Sequence, residues 1–303
     1  MPTELERLVV NGPTMGTRFS AVFYAPPGID RDATGRALAE AVAQVDREMS
    51  TWKPDSDLMR FNRAPVGQWV ELPVQLLTVM EAGLEIGRAS AGAFDIGVLD
   101  QVRAFGFHDT APDADDVARL AARRHLPAHE VVVVDRPGGR ALKRQECAID
   151  LSGIAKGHGV DRLAEVLMGM GIGHFLVSID GELRAAGGKP DGSPWRVAIE
   201  QPDPEKRDVA GVVELVDGAI ATSGNYRHRR ELGGRSYSHT IDARTGQPVT
   251  DDVYSATVRA PTCMVADAWA TVVMVLGESM AAPLLAARGL SAMTIEPAPA
   301  SVA

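Results

Sequence analysis

The chain of 303 residues holds only two cysteines, Cys147 and Cys263. Two are too few for a disulfide framework, and neither stands in a metal-binding spacing, so both read as buried free thiols. Long apolar runs are missing as well. The longest, Ala268 to Leu276, falls far short of the roughly 20 residues that cross a bilayer. Met1 to Arg7 has no basic stretch leading into an apolar one, so it does not read as a secretory signal, and no cysteine nearby could take a lipid. As written, the sequence predicts a cytoplasmic protein; a chain whose leader had been removed would read the same and could be periplasmic. Basic charge is in deficit. A net charge of −9 and a pI near 5.3 disfavour a general nucleic-acid binder. No Pro/Ser-rich linker and no internal repeat divides the chain. The expectation is one domain over residues 1–295 with a flexible Pro/Ala tail over 296–303.

What is present is ordinary for a globular protein. The chain is 45% hydrophobic with a mean hydropathy of −0.04, enough at this length to bury a sizeable core. Leu8–Val10 and Phe19–Tyr24 read as strands, with Met15-Gly16-Thr17 between them. Periodicity predicts helices over Ala33–Met49, Leu76–Ala89 and Asp113–Arg124. Ser56-Asp57 could cap a short helix that carries Phe61-Asn62. Val131–Val134 reads as a buried strand pairing back with Ala141–Lys143. Further strands are expected at Phe175–Ile179, Trp195–Ile199, Val212–Leu215, Ala219 onward and Ser255–Ala260, with Asp180-Gly181-Glu182 as a turn.

Four stretches carry chemistry. Tyr237 to Pro248 packs Ser238, His239, Asp242 and Arg244 into a polar run that turns at Thr245-Gly246. Such a run can bind charge, move a proton or simply hold a loop. Asp150-Leu151-Ser152-Gly153-Ile154-Ala155-Lys156-Gly157 reads as a strand end at Asp150 followed by a helix from Ser152 or Gly153. Helix N-termini bind phosphate, and Lys156 adds a mobile charge, yet neither a Walker A loop nor G-x-G-x-x-G is present. Asp267 and Thr271, four apart on a helix that Asp267 opens, offer two hard oxygens to a cation such as magnesium, or else Asp267 complements the helix dipole. Gly92-Ala93-Phe94-Asp95 suits a backbone that approaches a ligand, or a helix cap followed by a buried Phe. Trp52, on a polar loop, either stacks on a planar ligand or anchors that loop. Arg227, Arg229 and Arg230 form a basic cluster that reads as a solvated loop.

In their joint order these stretches resemble the ApbE family, the FAD:protein FMN transferases, from about Thr14 to about Gly277. The motifs that carry it are Met15-Gly16-Thr17, Ser50-Thr51-Trp52 with Phe61-Asn62, Gly92 to Asp95, Asp150 to Gly157, Ala221-Thr222-Ser223-Gly224-Asn225-Tyr226, Ser238 to Asp242, and Ala266-Asp267-Ala268 with Thr271. The resemblance implies an α+β fold of mixed, largely antiparallel sheets with flanking helices, related to the T-fold. It implies magnesium-dependent transfer of FMN from FAD to a threonine or serine of a target flavoprotein, a respiratory or electron-transfer subunit, with loss of AMP. Carried over by position, Met15, Trp52, Ala93, Phe94, Asp95, Asp150, Lys156 and Ile241 contact FAD. Gly153, Asp267 and Thr271 hold magnesium, His239 is the base and Asp242 orients it. Asp95 is followed by Ile-Gly-Val-Leu-Asp, where the family often has x-Thr-Val-Gly-Pro-Leu, and Trp52 stands where many members have Tyr. A pyrophosphatase releasing free FMN and AMP, or a non-catalytic FAD-binding protein, would use many of the same groups.

Overall fold

Phe19, Ala21, Phe23 and Ala25 are buried while the residues between them are half-exposed, the period of a strand with one face on a core. This strand and the one before it close through Met15 and Gly16, both at positive φ (45° and 72°), a two-residue turn matching the strands' twist. A computed structural model of the chain describes residues 5–123, 125–203, 208–225, 229–249 and 253–296.

The first half contains β1 (Glu6–Thr14), β2 (Thr17–Ala25), α1 (Arg31–Met49), α2 (Asp57–Arg63), β3 (Val70–Glu71), α3 (Val74–Ala89), α4 (Leu99–Ala104), α5 (Ala114–Ala121), α6 (Ala128–Val131), β4 (Val132–Asp135) and β5 (Arg140–Lys143). The second begins with α7 (Ala155–Gly169), β6 (His174–Ile179), β7 (Glu182–Ala186), β8 (Trp195–Glu200), β9 (Val209–Leu215) and β10 (Gly218–Gly224). It continues through β11 (Arg229–Leu232), β12 (Arg235–Ser238), β13 (Ile241–Asp242), β14 (Gln247–Pro248), β15 (Ser255–Ala260), α8 (Cys263–Leu276), α9 (Glu278–Ala286) and β16 (Ser291–Ile295).

Seven strands form one antiparallel sheet in the order β1-β2-β6-β7-β10-β15-β16. Helices α1 and α7 bury Leu38, Val42, Val160, Leu163 and Leu167 against Phe19, Phe23, Phe175 and Val177. The β8–β9 hairpin covers part of the other face, where Trp195, Val197 and Leu215 meet Ala185 and Ile220. A further core joins α3, α8 and the three-stranded sheet β3-β5-β4. This is the expected α+β architecture of largely antiparallel sheets with flanking helices. Among the described residues no helix is long and apolar enough to cross a membrane. Both cysteines are free thiols, and burial raises the Cys147 thiol to about 12.

Local signals explain several boundaries. Asp30 caps α1 by accepting from Ala33 N at 2.9 Å. Ser56 caps α2 through Met59 N at 3.1 Å, as its position predicts. Other boundaries differ from the sequence reading. No strand ends at Asp150. Instead the Asn62 amide donates to Ile149 O at 2.9 Å and accepts from Ile149 N at 2.8 Å, satisfying that backbone as a neighbouring strand would. Helix α7 then starts at Ala155, later than expected, and α8 starts at Cys263, one turn before Asp267. Helix α9 and strand β16 carry no distinct sequence signal. Tyr226, Arg227, His228 and the tail from residue 297 lie outside the described residues.

Helices α7 and α8 hold each other's first turns. Asp161 of α7 accepts from Cys263 N and Met264 N, each at 2.9 Å, and from the Arg184 guanidinium at 2.7 Å. Asp267 of α8 accepts from Gly157 N at 2.9 Å. Each carboxylate supplies the acceptor that the other helix's free amides lack. Close approach requires glycine at 157, since a Cβ there would lie 2.8 Å from Asp267 Cβ and still nearer the Cys263 carbonyl. Replacing Asp161 with Ala removes three bonds to a buried carboxylate. We expect a stability loss of about 3 kcal/mol in urea unfolding, with Asp161→Asn losing less. Gly157→Ala should destabilise by about 2 kcal/mol or more, because the obstructing atoms are backbone.

Candidate active site

The open edge between these helices and the sheet encloses a cavity of about 610 Å³, within the usual size of a small-molecule site. Its wall combines Gly153 and Lys156 at the start of α7, Asp267 and Thr271 of α8, the Asp180-Gly181-Glu182 turn, and the end of β10 from Thr222 to Gly224. Ala93, Phe94, Asp95, Asp150, His239 and Ile241 complete the predicted members of the lining. Residues over 150 positions apart in sequence therefore meet in one space.

Lys156 donates to Glu182 at 2.6 Å and lies 3.8 Å from Asp180. Burial works against its charge, but the neighbouring carboxylates of Glu182 and Asp267 outweigh it and hold the lysine protonated. Burial pushes Glu182 upward while Lys156 pulls it down. Asp267 is only 3% exposed, and burial raises its carboxyl too, with Lys156 and Gly157 N opposing. A Cβ built on Gly153 would lie 3.3 Å from Thr271 Oγ1 and 3.2 Å from Phe94 Cε2, so bare backbone faces the threonine hydroxyl. Gly153, Thr271 and the buried Asp267 thus share one wall of the cavity.

The histidine is held by its neighbours. Thr240 Oγ1 donates to Asn225 Oδ1 at 2.9 Å, Val249 N donates to Thr240 O at 2.9 Å, and Ser238 Oγ reaches Val249 O at 3.4 Å. These bonds fix both flanks of His239. Its ring meets Phe107 edge-on with centroids 6.3 Å apart.

Three predicted residues do not line the cavity. Met15, at the β1–β2 turn, packs on α7, where its Cε lies 3.0 Å from a Cβ built on Gly159. Trp52 is 62% exposed and stacks on His108 at 4.3 Å with 14° between ring planes. It borders a separate surface groove shared with Glu48 and Lys53. Both Asp242 oxygens accept from the Arg244 guanidinium at 2.9 Å. Arg244 in turn packs its Cγ 3.6 Å from a Cβ built on Gly92. Asp242 thus ties the His239 loop to the Gly92 turn through Arg244. Asp95 lines the cavity, but its carboxylate accepts from Gly97 N, Ala128 N and His125 Nε2 and braces the wall. Asp150 similarly accepts from Ser152 N at 2.7 Å, closing the turn before α7.

Sequence reading missed Glu182, which it placed in a turn, although the residue opens β7 and is 2% exposed. It also missed Asp161, which ties α7 to α8, and the wall residues Val98, just before α4, and Val102 within it. None of the four carries a local signal, since the burial of Glu182 becomes visible only in the structure.

The model described as the ApbE family matches residues 15–294. A Vibrio cholerae protein named FAD:protein FMN transferase is 39% identical over 278 residues, covering 90% of this chain and 82% of its own length. An Escherichia coli K12 protein of the same name is 34% identical over 303 residues, covering 96% and 84%. Among solved structures, the flavin transferase ApbE from Vibrio cholerae superposes with a TM-score of 0.85 at 35% identity, covering 97% of this chain and 94% of the other. The apo form of the Pseudomonas stutzeri flavinyl transferase ApbE gives 0.85 at 32% identity, covering 99% and 94%. The match in sequence and fold runs through every segment that builds the cavity, and the chain belongs to the ApbE family.

Proposed function

We propose that the protein is an FAD:protein FMN transferase. It moves FMN from FAD to a threonine or serine hydroxyl of a target flavoprotein, a respiratory or electron-transfer subunit, and releases AMP. The observation that carries this reading is the convergence of Lys156, the Gly153–Asp267–Thr271 oxygen set and His239 on one cavity. The names of the relatives agree with it.

The chemistry follows from the residues. The acceptor hydroxyl attacks the phosphorus that carries the riboflavin half of FAD. The pyrophosphate bond breaks, and its electron pair leaves on the AMP oxygen. A hydroxyl is a weak nucleophile at neutral pH, and His239 takes its proton. Phosphoryl transfer asks mainly for positioning and charge neutralisation. Here the cavity is a poor host for a bare pyrophosphate, since among the described residues Asp150, Asp180, Glu182 and Asp267 line it beside a single lysine. A divalent cation resolves the mismatch, and the Gly153 carbonyl, Asp267 and Thr271 fit magnesium's preference for hard oxygens. Magnesium bound there supplies positive charge to the pyrophosphate and the departing AMP. Lys156 adds a second positive charge, held in place by Glu182. Phe94 and Ile241 give the cavity apolar surface for a planar ring system, and Asp150 is left to meet a hydroxyl or amide of the ligand. Met15 and Trp52 belong to this reading as residues at the margin, and Asp242 as the support of the His239 loop.

The deciding experiment incubates the protein with FAD, magnesium and a threonine-bearing acceptor fragment, then reads flavin fluorescence on the denatured acceptor in a gel. A fluorescent band is expected, abolished by a chelator and by Asp267→Ala. His239→Ala should retain FAD binding while turnover falls by about 10²-fold or more. AMP and free FMN without a band would replace the transferase reading by a hydrolase.

A second prediction tests the buried pair. Lys156→Met leaves Glu182 without its partner and should destabilise the fold by about 2 kcal/mol, with weaker FAD binding. Lys156→Met combined with Glu182→Gln should regain most of the stability but not the affinity, as thermal melts and FAD titration would read separately.

A further inference from the structure

One carboxylate closes a long excursion of the chain. The excursion leaves the cavity wall at Gly97, forms α4 and α5, and returns at Ala128. Where it departs, Gly97 N donates to Asp95 Oδ1 at 2.8 Å. Where it comes back, Ala128 N donates to the two Asp95 oxygens at 3.1 and 3.2 Å, and His125 Nε2 donates to Oδ2 at 2.8 Å. The Asp95 side chain is only 2% exposed, so water competes little for these bonds. The other ring nitrogen of His125 lies 3.5 Å from Nε2 of Gln101, a buried residue of α4. His125 thus stands between the end of the excursion and the helix that forms its start.

Apolar packing holds the first part of this segment and little of the rest. Leu99, Ala104 and Phe105 are buried, but from Asp109 to Pro127 no described residue is. Helix α5 lies wholly within that stretch and buries none of its residues. Leu126, half-buried, packs on the core beside the return. Closing so long an excursion costs loop entropy, and its own exposed surface offsets little of it. The polar bonds gathered on Asp95 therefore carry much of the closure. What they hold in place is part of the site, because Val98 and Val102 line the cavity together with Phe94 and Asp95.

We infer that His125 is a positioning residue for the FAD-binding wall. It ties the returning chain to Asp95 and reaches Gln101 of α4, and so sets where Val98 and Val102 stand. His125 is not among the residues that line the cavity, and it acts on a ligand only through these neighbours. Without it, the buried carboxylate keeps two backbone amides of its three donors, and the return loses its side-chain link to α4.

The inference rests on the transferase reading only for its ligand, and the test separates the two. Amide hydrogen exchange is measured on the full chain without ligand, and FAD binding by titration of flavin fluorescence. His125→Ala should speed exchange across residues 98–123 about tenfold and leave the first turns of α7 and α8 unchanged. The same variant should raise both Kd and KM for FAD about fivefold, while kcat at saturating FAD stays within about twofold. His125→Gln sets an amide donor close to the position of Nε2 and should restore both exchange and affinity. His125→Leu fills the space without a donor and should behave as His125→Ala, which covers an alanine variant that fails to fold in a thermal melt. Unchanged exchange in His125→Leu overturns the inference. Faster exchange with unaltered FAD affinity also overturns it, as does a loss confined to kcat or a failure of His125→Gln to rescue. An unaltered protein that does not bind FAD would remove the transferase reading instead, and the exchange rates would still decide whether His125 closes the excursion.

Discussion

The site depends on how closely α7 and α8 can lie. Their first turns are locked by two carboxylates exchanged between them, Asp161 toward Cys263 and Met264, and Asp267 toward Gly157. The exchange satisfies amides that a helix cannot satisfy by itself. It also sets Gly153 and Lys156 of one segment beside Asp267 and Thr271 of the other, which makes a cavity wall out of two helix starts. The same Asp267 that stabilises α7 thus projects a buried carboxylate toward the ligand space. The helix contact and the cavity wall share one side chain, so the fold cannot relax there without altering the cavity.

Electrostatics gives the cavity its character. Acidic groups crowd a space that the proposed reaction fills with a pyrophosphate, and the single lysine is already committed to Glu182. On the proposed reading a divalent cation joins the substrate there and offsets that charge. Asp95 and Asp150, by contrast, are tied down by backbone amides. Carboxylates fixed in place do not swing toward the phosphates.

Much of the fold was legible because periodicity reports burial. Leu38, Val42, Val45 and Met49 face inward from α1 as their spacing implies, and Ser56 caps α2. The site was legible for a different reason. Residues of improbable type for a core, such as His239, Asp267 and Lys156, stood out against their surroundings. What could not be read were pairings between distant segments. Asn62 replaces a strand partner for Ile149, so a run that looked like a strand has no ladder. Glu182 looked like a turn residue until Lys156 approached it from 26 positions away. Arg244 also engages Asp242, the carboxylate that the family resemblance assigns to His239, and this pair, though local, leaves no trace in spacing alone.

The sequence by itself determined the chemical inventory and its order: an ordinary globular composition, helix and strand periods, and a series of polar motifs specific to one family. Each is a property of neighbours along the chain, where side-chain type and spacing act directly. Tertiary structure decided which of those groups share a space. Packing of α7 on α8 at Gly157 gathered the oxygen donors, and antiparallel pairing of β6, β7 and β10 brought Glu182 to the lysine and Thr222 to the wall. The segment from Phe105 to Asp109 acquires its contacts with His239 and Trp52 only once the chain has closed around it. Those distances depend on excluded volume and on backbone bonds between remote segments, which no local pattern encodes.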